Sequence, residues 1–158
     1  MKRLFVDTGA FLAREIANDQ HHQTACRGWI EAEERGYRLV SSEHVLDESA
    51  TLLARRSNYA FAAQWGEDVL AAGIEWLRAD EAELSQAFVL MRKFADQGVS
   101  FTDCLSAVLM KQNKMIRREV IGELIGVSTV LSRDYETKVL KRYRVTHEGE
   151  TVSAPVEI

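Results

Sequence analysis

Four acids pose the chemical question in this 158-residue chain: Asp7, Glu48, Asp103 and Asp134. Carboxylates crowded into one place repel one another and raise each other's pKa values unless a cation neutralises them. Mg²⁺ or Mn²⁺ suits such a cluster, since both prefer oxygen ligands and Mg²⁺ binds one or two carboxylates while keeping several waters. A cation held that way activates a water and stabilises charge on a phosphate and its leaving oxygen. Thr8 and Thr102 stand beside two of the acids and could orient carboxylates or bound waters.

Each acid also has a plainer structural role to weigh. Asp7 lies between a short apolar run and a helical stretch, where an aspartate is a good N-cap. Ser100 and Asp103 have capping-box spacing, and a carboxylate in a first turn is favoured by the helix dipole. Yet the helix that follows is apolar nearly all round, with Asp103 on a stripe with Ala107 and Met110, and a buried carboxylate needs a partner or a metal. Glu48 falls between Val45 and Leu52 at the margin of an apolar helix face, whereas Asp47 falls on the polar side; a salt bridge to Arg55 or Arg56 is the competing reading. Asp134, in Ser132-Arg133-Asp134, is an acid after a strand, commonplace in turns.

The elements that must position these residues alternate. Arg3 to Val6 reads as a strand and Ala10 to Asn18 as a helix with Phe11, Leu12 and Ile16 inward. His21 to Arg35 reads as a helix with Ala25, Trp29 and Ile30 on one side and Gly36 as its stop. Tyr37 to Val40 is a strand, Ser41-Ser42 a cap and Glu43 to Arg56 a helix. A helix over Phe61 to Ala72, a strand over Ile74 to Leu77 and a helix from Glu81 to about Phe94 follow. After the break at Gly98 come a helix over Asp103 to Lys111, an amphipathic basic segment over Met115 to Ile125, and strands over Val127 to Leu131 and Arg142 to Thr146. Such alternation predicts an α/β fold with a mainly parallel central sheet between helical layers. In such folds ligands bind beyond the carboxyl ends of the strands, where helices start, so the four acids are directed to one edge.

Length and composition bound the rest. The chain is long enough for one domain with its own core, over 1–147, ahead of a loose tail at 148–158. Cys26 and Cys104 make no disulfide framework and lack metal-ligand spacing, which favours a reducing compartment. The apolar run at the N-terminus ends at Asp7, too soon for a secretory h-region or a membrane span, so a cytoplasmic protein is expected. The net charge of −4 is uneven: residues 1–110 carry 11 basic and 17 acidic side chains, and residues 111–144 carry 9 basic and 4 acidic. That basic stretch, including Lys111, Lys114, Arg117 and Arg118, is either a phosphate-binding surface or a set of solvated helix faces. His21-His22 and His44 lack a zinc spacing, no Walker or G-x-S-x-G loop occurs, and Trp29, Trp65 and Trp76 are expected to fill the core.

Taken together, Phe5-Val6-Asp7-Thr8-Gly9-Ala10-Phe11, Val45-Leu46-Asp47-Glu48, Val99-Ser100-Phe101-Thr102-Asp103-Cys104-Leu105-Ser106 and Leu131-Ser132-Arg133-Asp134-Tyr135 resemble the motifs of PIN-domain ribonucleases, especially VapC-type toxins. The resemblance covers residues 3 to about 145 and implies a PIN-like three-layer α/β/α fold. It makes Asp7, Glu48, Asp103 and Asp134 the metal-binding acids of an RNA-cleaving site. It further implies a Mg²⁺ or Mn²⁺ cofactor, a homodimer and a small antitoxin that occludes the acidic pocket. Two departures accompany it: Lys114 to Leu124 looks inserted between the third and fourth acids, and Ser132 and Tyr135 stand where threonine and phenylalanine or leucine are usual. A housekeeping RNA-processing nuclease or an idle PIN-like binding module are the alternatives. A haloacid-dehalogenase-type phosphatase would need a second aspartate where Gly9 stands.

Overall fold

Short apolar runs become strands and the amphipathic stretches between them become helices. The computed structural model describes residues 3–115 and the strand segments 130–134 and 139–143. Their order is β1 (Arg3–Phe5), α1 (Thr8–Glu15), α2 (His22–Glu34), β2 (Arg38–Ser42), α3 (Glu43–Arg56), α4 (Tyr59–Ala71), β3 (Glu75–Leu77), α5 (Glu81–Lys93), a 3₁₀ turn (Ala95–Gln97), α6 (Phe101–Gln112), β4 (Val130–Asp134) and β5 (Val139–Tyr143). This is the α/β class that the alternation predicts, with a parallel three-stranded sheet in the order β1-β2-β3. β2 and β3 pair with Val40 opposite Glu75 and Ser42 opposite Leu77.

The chain divides into two compact units, Met1–Leu39 with Arg117–Ile158, and Val40–Ile116. In the first, α1 packs on α2. α1 buries Thr8, Ala10, Phe11, Leu12 and Ala13, and Ile16 is its C-cap rather than an interior position. α2 buries Ala25, Gly28 and Ala32, three small residues at i, i+3 and i+7. Trp29 is half-buried against Phe11, with ring centroids 5.5 Å apart, and Ile30, expected inward, is 57% exposed. In the second unit α3 packs on α4 and α6, and α5 packs on α6. Of the tryptophans only Trp65 is fully buried; Trp76, like Trp29, is half-buried.

Helix starts and stops follow the local chemistry. Ser42 ends β2 and is at once the N-cap of α3, its hydroxyl accepting from the Val45 amide at 3.2 Å, so strand and helix abut with no loop. The strand therefore runs two residues beyond the Tyr37–Val40 prediction. α2 ends in a Schellman motif: Gly36 takes φ +66°, its amide donates to the Glu33 carbonyl, and the Tyr37 amide donates to the Ala32 carbonyl, both at 2.9 Å. β4 and β5 form an antiparallel pair rather than extending the parallel sheet, and begin three residues later and three earlier, respectively, than the sequence predicts. Except for Met115, which follows α6, the amphipathic segment Met115 to Ile125 lies outside the described residues, as do Arg117, Arg118 and the 148–158 tail.

Candidate active site

Asp7 is the N-cap residue of α1, with φ −97° and ψ 166°, and its backbone carbonyl accepts from the Ala10 and Phe11 amides at 3.0 and 3.3 Å. Its side chain makes no capping hydrogen bond. The plain structural role is therefore filled by the backbone alone, and the half-buried carboxylate stands at the positive end of the helix, where a negative charge is favoured. Thr8, the first helical residue, is buried.

Asp103 does cap. Its Oδ2 accepts from the Ser100 amide at 3.2 Å while the Ser100 hydroxyl accepts from the Asp103 amide at 3.1 Å. The side chain is half-buried, as are Ala107 and Met110 on the same stripe and Thr102 beside it. The buried side of α6 is instead Cys104, Leu105, Ser106, Val108 and Leu109. Burial pushes the Cys104 thiol from an ordinary 9.0 up to about 11, and the neighbouring Asp103 carboxylate adds to the rise.

Glu48 occupies the place that periodicity assigned: half-buried, one turn after Val45 and one before Leu52, with Asp47 exposed. The competing salt bridge does not form. Arg55 and Arg56 are exposed and enter no ion pair among the described residues. Seven or eight residues of helix put them about 10–12 Å along the axis from Glu48.

One contact aligns these two helices. The rings of His44 and Phe101 lie 6.0 Å apart, joining the first turn of α3 to the first turn of α6. Glu48 is in the second turn of α3 and Asp103 in the first of α6, so both acids occur at the N-terminal end of one packed helix pair. Two helix N-termini there concentrate positive potential, which favours carboxylates and anionic ligands.

The donor set suits a hard divalent cation rather than a soft one. All of the predicted ligands are carboxylates, and Asp103 commits one oxygen to its cap, leaving Oδ1 outside the capping box. Among the described residues no group of three or more His, Cys, Asp or Glu is gathered as a metal-binding set. Asp7 belongs to the first unit, and Glu48 and Asp103 to the second. Asp134 does not follow a strand but is the last residue of β4, opposite Val139. Lys111 is exposed in the last turn of α6, and Lys114 is exposed just beyond it.

The PIN domain family matches residues 4–145, a span that includes all four acids. A VapC ribonuclease of Archaeoglobus fulgidus is 28% identical over 113 residues, covering 70% of this chain and 71% of that protein. The 23S rRNA-specific endonuclease VapC20 of Mycobacterium tuberculosis is 32% identical over 111 residues, covering 69% of this chain and 81% of that protein. The crystal structure of M. tuberculosis VapC20, a sarcin–ricin loop cleaving toxin, is similar with a TM-score of 0.64 and 27% identity, over 71% of this chain and 84% of that one. With a match that runs from β1 to β5 and relatives of one kind, the chain belongs to the PIN-domain family, in its VapC group.

Proposed function

We propose that this protein is a metal-dependent endoribonuclease and the toxin of a VapBC-type toxin–antitoxin pair, cleaving RNA phosphodiester bonds with Asp7, Glu48, Asp103 and Asp134. The observation that carries the reading is the placement of Glu48 and Asp103, both half-buried, at the shared N-terminal end of α3 and α6. Carboxylates gathered at helix N-termini are suited to an oxygen-preferring divalent cation. Mg²⁺ or Mn²⁺ bound by one or two of the acids, with the others reaching it through water, would supply an activated water and charge stabilisation at the phosphate.

The protein's own groups do the positioning. Ser100 holds the Asp103 carboxylate by its backbone amide, and the backbone cap of α1 leaves the Asp7 side chain out of helix capping. Thr8 and Thr102 are the residues to orient these acids or their waters. Lys111, Lys114, Arg117 and Arg118 are proposed to meet the RNA backbone, an electrostatic contact that salt would weaken. Relatives of VapC type support a small antitoxin partner, and a homodimer is proposed with it. No helix among the described residues is long and apolar enough to cross a membrane; an RNA substrate places the protein's action in the cytoplasm.

The test is cleavage of RNA by the purified protein with Mn²⁺ or Mg²⁺, beside Asp7→Asn and Asp103→Asn. Cleavage that persists in EDTA, or variants that cut as fast as wild type, would sink the mechanism. A short reading frame overlapping the start of the gene separates a toxin from a housekeeping nuclease.

A further inference from the structure

α5 leaves three large apolar side chains in solvent: Phe88 is 57% exposed, Val89 64% and Met91 39%. Apolar side chains clustered on a surface mark a contact site. The Phe88 ring lies on the half-buried Phe101 ring, with centroids 4.6 Å apart and planes tilted by 36°. Phe101 in turn meets His44, with ring centroids 6.0 Å apart. Three rings therefore run from the exposed face of α5, across the first turn of α6, to the first turn of α3. His44 precedes Glu48 by four residues, so the two share a face of α3. The inner end of the ring run is thus the end of α3 and α6 that carries Glu48 and Asp103, and all of these residues belong to the second unit.

Phe88 has positive charge beside it. Met91 and Arg92 follow at i+3 and i+4 and flank it on one face, and Lys93 comes next. Both cations are exposed, and over the last turn of α5 and the 3₁₀ turn after it they outnumber the one acid, Asp96. Glu81 and Glu83 lie at the other end of α5, in its first turn. Unpaired RNA bases bind proteins by stacking on aromatic rings while the backbone follows positive charge. We infer that Phe88 is a base-stacking platform for RNA bound at the acidic site, with Arg92 on the adjoining phosphate. An unpaired nucleotide of the substrate stacks on the exposed Phe88 ring, which Phe101 supports from behind. Such stacking tolerates any sequence, since every base has a π-face, so Phe88 positions the substrate without selecting it. The inference rests on the ribonuclease reading and gives α5 a positioning role in it.

Binding of a fluorescein-labelled oligoadenylate to the full-length protein tests this, read by anisotropy in EDTA so that no cleavage intervenes. An abasic oligomer of the same length, with the same phosphates and no bases, is the control. Phe88→Leu is expected to weaken oligoadenylate binding at least about fivefold and to leave the abasic oligomer unchanged. Phe88→Trp should bind as tightly as wild type or tighter, while Arg92→Gln should weaken both oligomers and flatten the salt dependence. Phe88 is exposed, so both substitutions there spare the core. No oligoadenylate binding by the wild type, equal affinity in Phe88→Leu, or an equal loss on the abasic oligomer overturns the platform. A wild-type dimer that becomes a monomer in Phe88→Ala, measured by analytical ultracentrifugation, assigns the face to a second copy of the chain and also overturns it. Cleavage beside Asp7→Asn tests the acidic site separately, so a failed platform and a failed ribonuclease reading give different results.

Discussion

Ser100 and Asp103 hold each other: each side chain accepts the other's backbone amide, at 3.1 and 3.2 Å, across the first turn of α6. The same aspartate is thus a helix cap and a proposed metal ligand. The two roles separate by substitution. Asp103→Asn keeps an acceptor for the Ser100 amide, so RNA cleavage should fall by at least about a hundredfold while stability changes by less than about 1 kcal/mol. Asp103→Ala loses both, adding about 1 kcal/mol of destabilisation measured by urea unfolding.

Asp7 makes no side-chain cap, so its removal should cost α1 little. Asp7→Asn is expected to abolish cleavage while the capping hydrogen bonds of α1, made by the backbone, persist. The internal control is Asp47→Asn, an exposed acid next to Glu48, which should cut RNA at the wild-type rate. A large loss of stability in Asp7→Asn would assign the residue to structure instead.

Chelation should silence the enzyme reversibly. EDTA is expected to stop cleavage, and Mn²⁺ or Mg²⁺ added back in excess to restore it. Metal binding the native state alone should also raise the melting temperature with concentration, an effect expected to weaken in Glu48→Gln and Asp103→Asn.

The Cys104 thiol gives the fold a measurable alkaline limit. Its pKa rises from 9.0 to about 11, so the folded state keeps a proton that the unfolded state gives up as pH passes 9. Stability should therefore fall between about pH 9 and 11, by at most about 2–3 kcal/mol, and flatten above that window. Cys104→Ala should remove this contribution to the slope in pH-dependent urea titrations. At neutral pH iodoacetamide should label the half-buried Cys26 well before the buried Cys104.

Lys114 copies Gly36. It takes φ +54° after α6, its amide donates to the Lys111 carbonyl at 3.1 Å, and the Met115 amide donates to the Met110 carbonyl at 2.8 Å. This is the Schellman motif of α2 built without glycine, and a left-handed lysine carries strain that glycine does not. Lys114→Gly should stabilise the protein by about 0.5–1 kcal/mol, and Gly36→Ala should destabilise it by about 1 kcal/mol, both read by thermal unfolding.

The α/β class, the Ser42 cap, the span of α3, the stop at Gly36 and the odd position of Glu48 were all legible in the sequence, because each depends on residues within a turn or two of one another. Tertiary packing decided what depends on a neighbour. Ile30 is exposed while the small residues Ala25, Gly28 and Ala32 form the buried side of α2, a choice that helical periodicity cannot make. Asp7 and Asp103 look alike as capping acids, and only the fold shows that one side chain caps and the other does not. The contact of His44 with Phe101, 57 residues apart in sequence, brings the N-terminal ends of α3 and α6 together. Acids at such distances in the chain share chemistry only when packing aligns the helices that carry them.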